Sequence, residues 1–410
     1  ALDANTTAAN CAALGYQALG ENTTGSKNTG LGVAALYSNT TADNNTAVGY
    51  SALYSNTTGT RNTAMGVESL ETNTTGNYNT AFGFRALEAA TTADNNAAFG
   101  DWALGSNTSG ADNTSIGTHT LDVNTTGSNN TAVGKSALSA NTTASKNTAV
   151  GTSALLKNTT GSNNTALGYH ALEENTTAGT NTAVGYASLA DNTTGAENTA
   201  IGSESLPENT TGTGNVAIGR YAGRVASTGD HNSCLGYHAG YYLTTGDNNT
   251  FVGKSAGTIG SPSGQITTGS NQFCLGNNDV TDLYCADTSI SSSDKRDKTD
   301  INDFTHGLNW VNQLKPVTYR WDKRTWYGTE ENPIGTPDGS KKRNKKHIGF
   351  LAQDVLEIEG NPSDKDDMLV VNLNNDDTAY GLKYERLVPV LVNAIKELSA
   401  KNEALEARLA

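Results

Sequence analysis

The sequence predicts a mainly β chain: an elongated β-roll or β-solenoid of 17-residue repeats, followed by a small α+β domain ending in a coiled-coil helix. A glycine returns in register at Gly15, Gly32, Gly49, Gly66, Gly83, Gly100, Gly117, Gly134, Gly151, Gly168, Gly185, Gly202, Gly219, Gly236 and Gly253, a period that a rung-by-rung architecture explains. The 410 residues include 44 Gly, with only 35% hydrophobic and 17% charged residues, too little apolar material for a conventional globular enzyme of this length. Near residue 294 the composition changes abruptly, and Trp310, Trp321, Trp326 and most of the 7 prolines follow.

A full repeat is spelled by Asn45, Thr46, Ala47, Val48, Gly49, Ala52, Leu53, Asn56, Thr57, Thr58 and Gly59. Side chains alternate along a strand, so the apolar residue before each glycine (Val48, Met65, Phe82, Phe99, Ile116, Val133) shares a face with the threonine two before it. That face is expected to fill a small core with the recurrent Leu53, Leu70, Leu87, Leu104 and Leu121. The alanine and glycine then point the other way, where a nearly bare face admits the backbone of another copy. Helix is a poor alternative, because each unit carries one or two glycines and its Thr and Asn compete with helical hydrogen bonds. Asn-Thr-Thr-Gly is turn chemistry, with Asn side chains able to bond nearby backbone or form ladders between rungs. At roughly 4.8 Å per rung, about fifteen rungs make a rod on the order of 70 Å. So thin a rod needs partners, and oligomerisation is part of the expected fold.

The net charge of −14 argues against a nucleic-acid-binding surface. No run is long enough to cross a bilayer as a helix, so no membrane insertion is expected. The chain starts at Ala1 without a Met, and an upstream segment is expected. Cys11, Cys234, Cys274 and Cys285 are spread too widely for a zinc spacing, and two of them occupy the small position two residues before a glycine. Buried free thiols are expected, with an interchain disulfide as the alternative. No metal and no cofactor are expected. The Asn-Thr-Thr triplets match the N-glycosylation pattern, but recurrence in phase with the repeat is explained by turn structure alone.

The register weakens where Gly223, Gly240 and Gly257 replace the leucine, is lost in residues 260–269, and returns in a repeat-like strand over residues 271–276. These breaks divide the chain into a repeat shaft (1–260), a distal shaft and linker (261–292), a terminal domain (293–386) and a C-terminal coiled-coil helix (387–410). The final 117 residues (410 − 293) suffice for a separate core.

Four blocks in the terminal domain are specific: Ser293-Asp294-Lys295-Arg296-Asp297-Lys298-Thr299-Asp300-Ile301, Leu314-Lys315-Pro316-Val317-Thr318-Tyr319-Arg320-Trp321, Ile348-Gly349-Phe350-Leu351-Ala352-Gln353-Asp354-Val355, and Tyr384-Glu385-Arg386-Leu387-Val388-Pro389. Together they resemble the endosialidase-type intramolecular chaperone domain found at the C-terminus of phage tail spikes, tail fibres and neck appendages. The repeats separately resemble the β-roll heads of trimeric adhesins, through the phrase Asn-Thr-Ala-apolar-Gly. The chaperone resemblance implies a trimer whose terminal domain assists folding of the preceding shaft and then removes itself through a serine-lysine dyad. Carried over, the nucleophile is Ser293, the base Lys298, and the scissile bond Ser292–Ser293, with Asp294 orienting the turn. Two departures stand out. Asp297, where many members carry Leu, puts a carboxylate beside the base and favours its protonated form, and Ser291 and Ser292 are neighbouring serines. Without the resemblance, a Ser and a Lys five apart in a polar loop are ordinary surface residues.

Val388, Leu391, Ile395, Leu398, Asn402, Leu405 and Leu409 alternate spacings of three and four, the seam of a coiled coil; a helix packed on its own domain is the alternative. Ile at a, Leu at d and a polar Asn402 lean towards two strands, and the expected trimer rests on the resemblance. Residues 341–346, a basic run broken by Asn344, read as a solvated loop. Three functional classes follow. The first is a homotrimeric fibre or spike of a phage particle, joined to other particle proteins upstream and touching a host-surface receptor or glycan, with self-cleavage as its only enzyme activity. The second is an extracellular or cell-surface adhesin. The third, a glycan-degrading tail spike, needs an acidic pair, and Glu68, Asp101, Glu173 and Glu204 read as scattered, with nothing marking a pair.

Overall fold

The computed structural model describes residues 1–280, 299, 301–328, 334–373 and 379–409. The described residues form two compact units, one of residues 1–256 and 267–275, the other of residues 257–266 and 276–409.

The first unit is a parallel β-solenoid. Sixteen three-residue strands, from β1 (Ala12–Leu14) through β3 (Thr46–Val48), β8 (Thr131–Val133), β14 (Ser233–Leu235) and β15 (Thr250–Val252) to β16 (Phe273–Leu275), form a single sheet in sequence order. Each strand pairs with the next at an offset of seventeen residues, Thr131 against Thr148 and Ala132 against Ala149. The turns obey the same period: the Leu53 N–H donates to the Ser69 carbonyl at 3.0 Å and the Thr57 N–H to the Thr74 carbonyl at 3.0 Å. Every side of the rung is therefore a ladder, which satisfies backbone groups that a thin rod would otherwise expose.

The strand alternation is as expected, but its faces are inverted. The alanines point inward, with Ala47, Ala64, Ala81, Ala132 and Ala149 fully buried beside Leu53, Leu70, Leu87 and Leu138. Phe82, Phe99 and Ile116 are exposed, and Val48, Met65 and Val133 only partly covered. The interior is too narrow for a second large side chain: a Cβ placed on Gly30, which stands at the alanine position, would lie 3.4 Å from Leu19 Cγ. The leucine reaches in from the turn, so only a methyl fits on the strand.

The glycine ladder has a reason within its own chain. Gly134 has φ +125°, and a Cβ there would lie 2.7 Å from the Gly151 carbonyl carbon and oxygen of the next rung. The glycine is needed for rung stacking within one chain. Three non-glycine residues in a typical rung also take left-handed dihedrals, for instance Asn44 at φ +60° and Ser51 and Leu53, both at φ +53°. For the leucine that costs about 1–2 kcal/mol, against roughly 1.5–3 kcal/mol from fully burying its side chain.

Where glycine replaces the leucine, the filling comes from the strand instead. Gly223 and Gly240 keep the left-handed dihedrals, at φ +59° and +62°. The inward strand residues become Cys234 and Phe251, both buried, and a Cβ on Gly240 would lie 2.6 Å from Cys234 Sγ and 3.0 Å from the Phe251 ring. Backbone register thus continues to Thr250. Between β15 and β16 the offset grows to 23, Thr250 against Phe273, an insertion of six residues (23 − 17).

Asparagine ladders line two interior corners. Along one, the Asn39 amide donates to Asn22 Oδ1 at 2.7 Å, Asn56 to Asn39 at 2.9 Å and Asn73 to Asn56 at 2.8 Å. Along the other, Asn28 Oδ1 accepts the Asn45 N–H at 2.9 Å and Asn45 Oδ1 the Asn62 N–H at 2.9 Å. These asparagines are fully buried, so turn and ladder geometry accounts for the repeated Asn-Thr-Thr phrase. Cys234 is a buried free thiol, Cys11 is free and partly exposed, Cys274 is buried, and Cys285 lies outside the described residues.

The second unit has its own small core of Trp310, Val355, Met368, Val370, Val371, Leu387 and Val390. Its elements are α1 (Leu308–Val311), β17 (Val317–Tyr319), β18 (His347–Gly349), α2 (Ala352–Ile358), β19 (Val371–Leu373), β20 (Tyr380–Leu382) and α3 (Leu387–Leu409). β17 pairs antiparallel with β18, and β19 with β20. No described helix is long and apolar enough to cross a membrane.

Candidate functional site

Ser292, Ser293, Asp294 and Lys298, together with Asp297, lie outside the described residues. The described residues of the terminal domain hold the other blocks of the sequence. Three of the four sequence blocks converge there. Val317 pairs with Gly349 and Tyr319 with His347 across β17 and β18. The Phe350 N–H donates to the Tyr384 hydroxyl at 3.1 Å, and the two rings stack with centroids 6.2 Å apart. Burial, and then the neighbouring Tyr384, push the Tyr319 hydroxyl above its ordinary pKa. Residues 65 positions apart (384 − 319) are thus held in one aromatic cluster, and from the first block Ile301 is described as exposed.

The long helix α3 is tied down on one side only. Leu387, Val390 and Ala394 are buried. Asn393 donates to the Phe304 carbonyl at 2.6 Å and the His306 carbonyl at 3.3 Å, and the Glu397 carboxylate accepts the Leu308 N–H at 3.1 Å, satisfying the start of α1. On the other side Val388, Leu391, Ile395, Leu398, Leu405 and Leu409 are all exposed, Ile395 at 67% and Leu409 at 84%, and so is Asn402. The heptad seam therefore faces away from its own domain, and packing on that domain uses a different stripe.

Residues 341–346 are exposed as expected for a solvated loop, but two of them also border a cavity. Arg343 and Lys345 line it together with Trp321, Lys323, Trp326 and His347. No spacing along the chain marks this grouping, because it depends on the β17–β18 pairing. On the solenoid, Glu68 proves not to be isolated: carboxylates of Glu68, Glu71 and Glu88 lie within 4.8 Å of one another. Burial, then the charges of Glu68 and Glu88, raise the Glu71 pKa, while Arg85 binds Glu68 at 2.6 Å and lies 3.8 Å from Glu88. Positions 71 and 88 are seventeen apart, so the solenoid period itself stacks them. The arginine offsets part of the cluster's charge, which makes it an ion-pair network on the shaft wall.

The family model for the chaperone of endosialidase matches residues 293–363. That span begins at the proposed nucleophile, covers the first three sequence blocks and ends after α2. Comparison with curated proteins and with solved structures gave no significant match. The family is that of an auto-cleaving, peptidase-like chaperone domain. A parallel solenoid of 17-residue repeats is therefore followed in this chain by a segment that matches the family model for the chaperone of endosialidase, a combination that fits a tail fibre with a chaperone domain.

Proposed function

We propose that the chain is a homotrimeric fibre or spike component of a phage particle, used in host-surface attachment, whose terminal domain directs trimer folding and then cuts itself off. The observation that carries the reading is a pair of unpartnered apolar stripes on the two units. One is the outward strand column of the solenoid, including Phe82, Phe99, Ile116, Leu167, Ile201 and Ile218; the other is the exposed seam of α3. Rows of apolar side chains on successive rungs and at heptad spacing are what a second and third copy of the same chain cover. A shaft with such a face is exposed to wrong pairing until register is set, because non-local strand pairing is slow; a terminal domain that trimerises first removes that hazard.

For release, the Ser293 hydroxyl attacks the Ser292 carbonyl carbon. Lys298, neutral when desolvated, takes the hydroxyl proton and returns it to the departing amide nitrogen, so the acyl group moves from nitrogen to oxygen. Water then hydrolyses the ester, leaving residues 1–292 and 293–410. The start of the family match at residue 293 supports this position.

The oligomer is tested by light scattering on the Ser293→Ala chain, which keeps both parts together. The expected mass is three times 42.6 kDa. Ile395→Asp combined with Leu398→Asp, and Phe99→Asp on the shaft, are expected to reduce the trimer fraction. A monodisperse monomer of the parent chain contradicts the reading.

A further inference from the structure

The terminal domain holds a concentration of positive charge that the folding role does not use. Because β17 and β18 pair, residues 321–327 and 341–347 lie side by side, and the Arg343 N–H donates to the Trp321 carbonyl at 2.9 Å. Between them is a cavity of about 260 Å³ lined by Trp321, Lys323, Trp326, Arg343, Lys345 and His347. A second hollow of about 340 Å³ shares Trp326 and Arg343 and adds Lys341 and Asp279. The Arg343 guanidinium lies 5.0 Å from the Trp326 ring centre, and the Lys323 ammonium 5.1 Å from that of Trp321.

In a chain of net charge −14, the described residues lining the two hollows set Asp279 alone against Lys323, Lys341, Arg343 and Lys345. Among the described residues, Lys323, Arg343 and Lys345 make no ion pair. Lys323 spends a long 3.4 Å hydrogen bond on the Asn278 carbonyl. Burial and then the Arg343 charge lower its pKa, with Asp279 opposing more weakly. The indole N–H of Trp326 is buried without a hydrogen-bond partner. Like charges held together over aromatic faces, with a spare buried donor, cost stability unless an anion arrives.

We propose that this cleft binds a small oxyanion carried on a sugar-sized ring, a carboxylate or a phosphate, with the anionic group between Arg343 and Lys323 and the ring against the tryptophans. The planar arginine fork suits either oxyanion, and the two indoles give a ring an apolar wall beside the convergent cations.

The test titrates the full-length chain with glucuronate, glucose 6-phosphate and uncharged glucose, read by tryptophan fluorescence and calorimetry. At least one of the two acids is expected to bind, glucose not, and binding is expected to weaken as salt is raised. Which acid binds distinguishes a carboxylate ligand from a phosphate one. Arg343→Gln is expected to weaken binding by about tenfold or more, as loss of a charge-assisted hydrogen bond implies. The exposed Lys345→Gln is a second variant should the first not fold, and unchanged circular dichroism verifies each. Failure of both acids to bind, equal binding of glucose, or full affinity in the folded variants overturns the proposal. So does a finding that the cleft is filled by a carboxylate of the chain itself.

Discussion

The interior asparagine ladder has two gaps, and they make a quantitative prediction. At residues 90 and 226 the ladder position is alanine, and in the rungs just before these gaps Asn73 Oδ1 and Asn209 Oδ1 are buried without a hydrogen-bond partner. Intact rungs show what is missing. The Asn124 amide donates to Asn107 Oδ1 at 2.8 Å and to the Gly127 carbonyl at 3.0 Å, and its oxygen accepts from Asn141 at 2.8 Å. Ala90→Asn places an amide where it can donate to Asn73 Oδ1 and the Ala93 carbonyl and accept from Asn107, whose amide now reaches only the Gly110 carbonyl at 2.9 Å. Satisfying a buried orphan is worth about 1–3 kcal/mol, reduced by the rotamer entropy of ordering the new side chain. A net gain of about 1 kcal/mol per chain is expected, or about 2–4 °C in melting temperature for a unit of this size. Asn124→Ala should lose a similar or larger amount, since it orphans Asn107 Oδ1. Ala226→Asn should be nearly neutral, because the next ladder position is the fully buried Leu243 and the orphan is only moved along. Melting followed by circular dichroism on full-length chains decides it. If Ala90→Asn gives no gain and Asn124→Ala no loss, the ladder contributes nothing and the reasoning is refuted.

Gly134→Leu should destabilise the shaft by at least the ~1–3 kcal/mol of overpacking, because its Cβ meets the Gly151 backbone of the same chain, while Lys135→Leu, exposed one residue on, should be nearly silent; equal melting temperatures for the two variants contradict the rung-stacking role. Burial pushes the Cys234 thiol up to about 12, so in the native chain it should resist a thiol reagent at mildly alkaline pH while Cys11 reacts; the sign follows from the thiolate being the reactive form, and prompt labelling of Cys234 contradicts it. Deleting residues 293–410 before synthesis should give aggregated shaft, checked by centrifugation and protease resistance, whereas soluble, protease-resistant trimeric shaft contradicts the chaperone role.

The period, the rung, the turn phrase and the heptad seam were legible because each is local and repeats. Alternation in Thr-Ala-Val-Gly revealed two faces but not which is inside; that is decided by Leu53 and its equivalents entering from the turn through left-handed dihedrals, a conformation their side chains do not announce. The replacement of that leucine by Gly223 and Gly240 looked like decay of the repeat and is compensated by Cys234 and Phe251, residues on neighbouring rungs. The proposed dyad, Ser293 and Lys298, rests only on the motif shared with a family and lies outside the described residues. The cleft around Lys323 and Arg343 was not legible, since β17 and β18, which bring its two halves together, are short and separated by residues 320–346.

The most direct measurement is the mass of the chain under denaturing conditions after expression and assembly. Two fragments are predicted, of 292 and 118 residues (410 − 292), with Ser293→Ala and Lys298→Ala each leaving the chain whole. Correctly assembled wild-type protein that remains a single chain of 410 residues, or fragments cut at another bond, contradicts the proposed release.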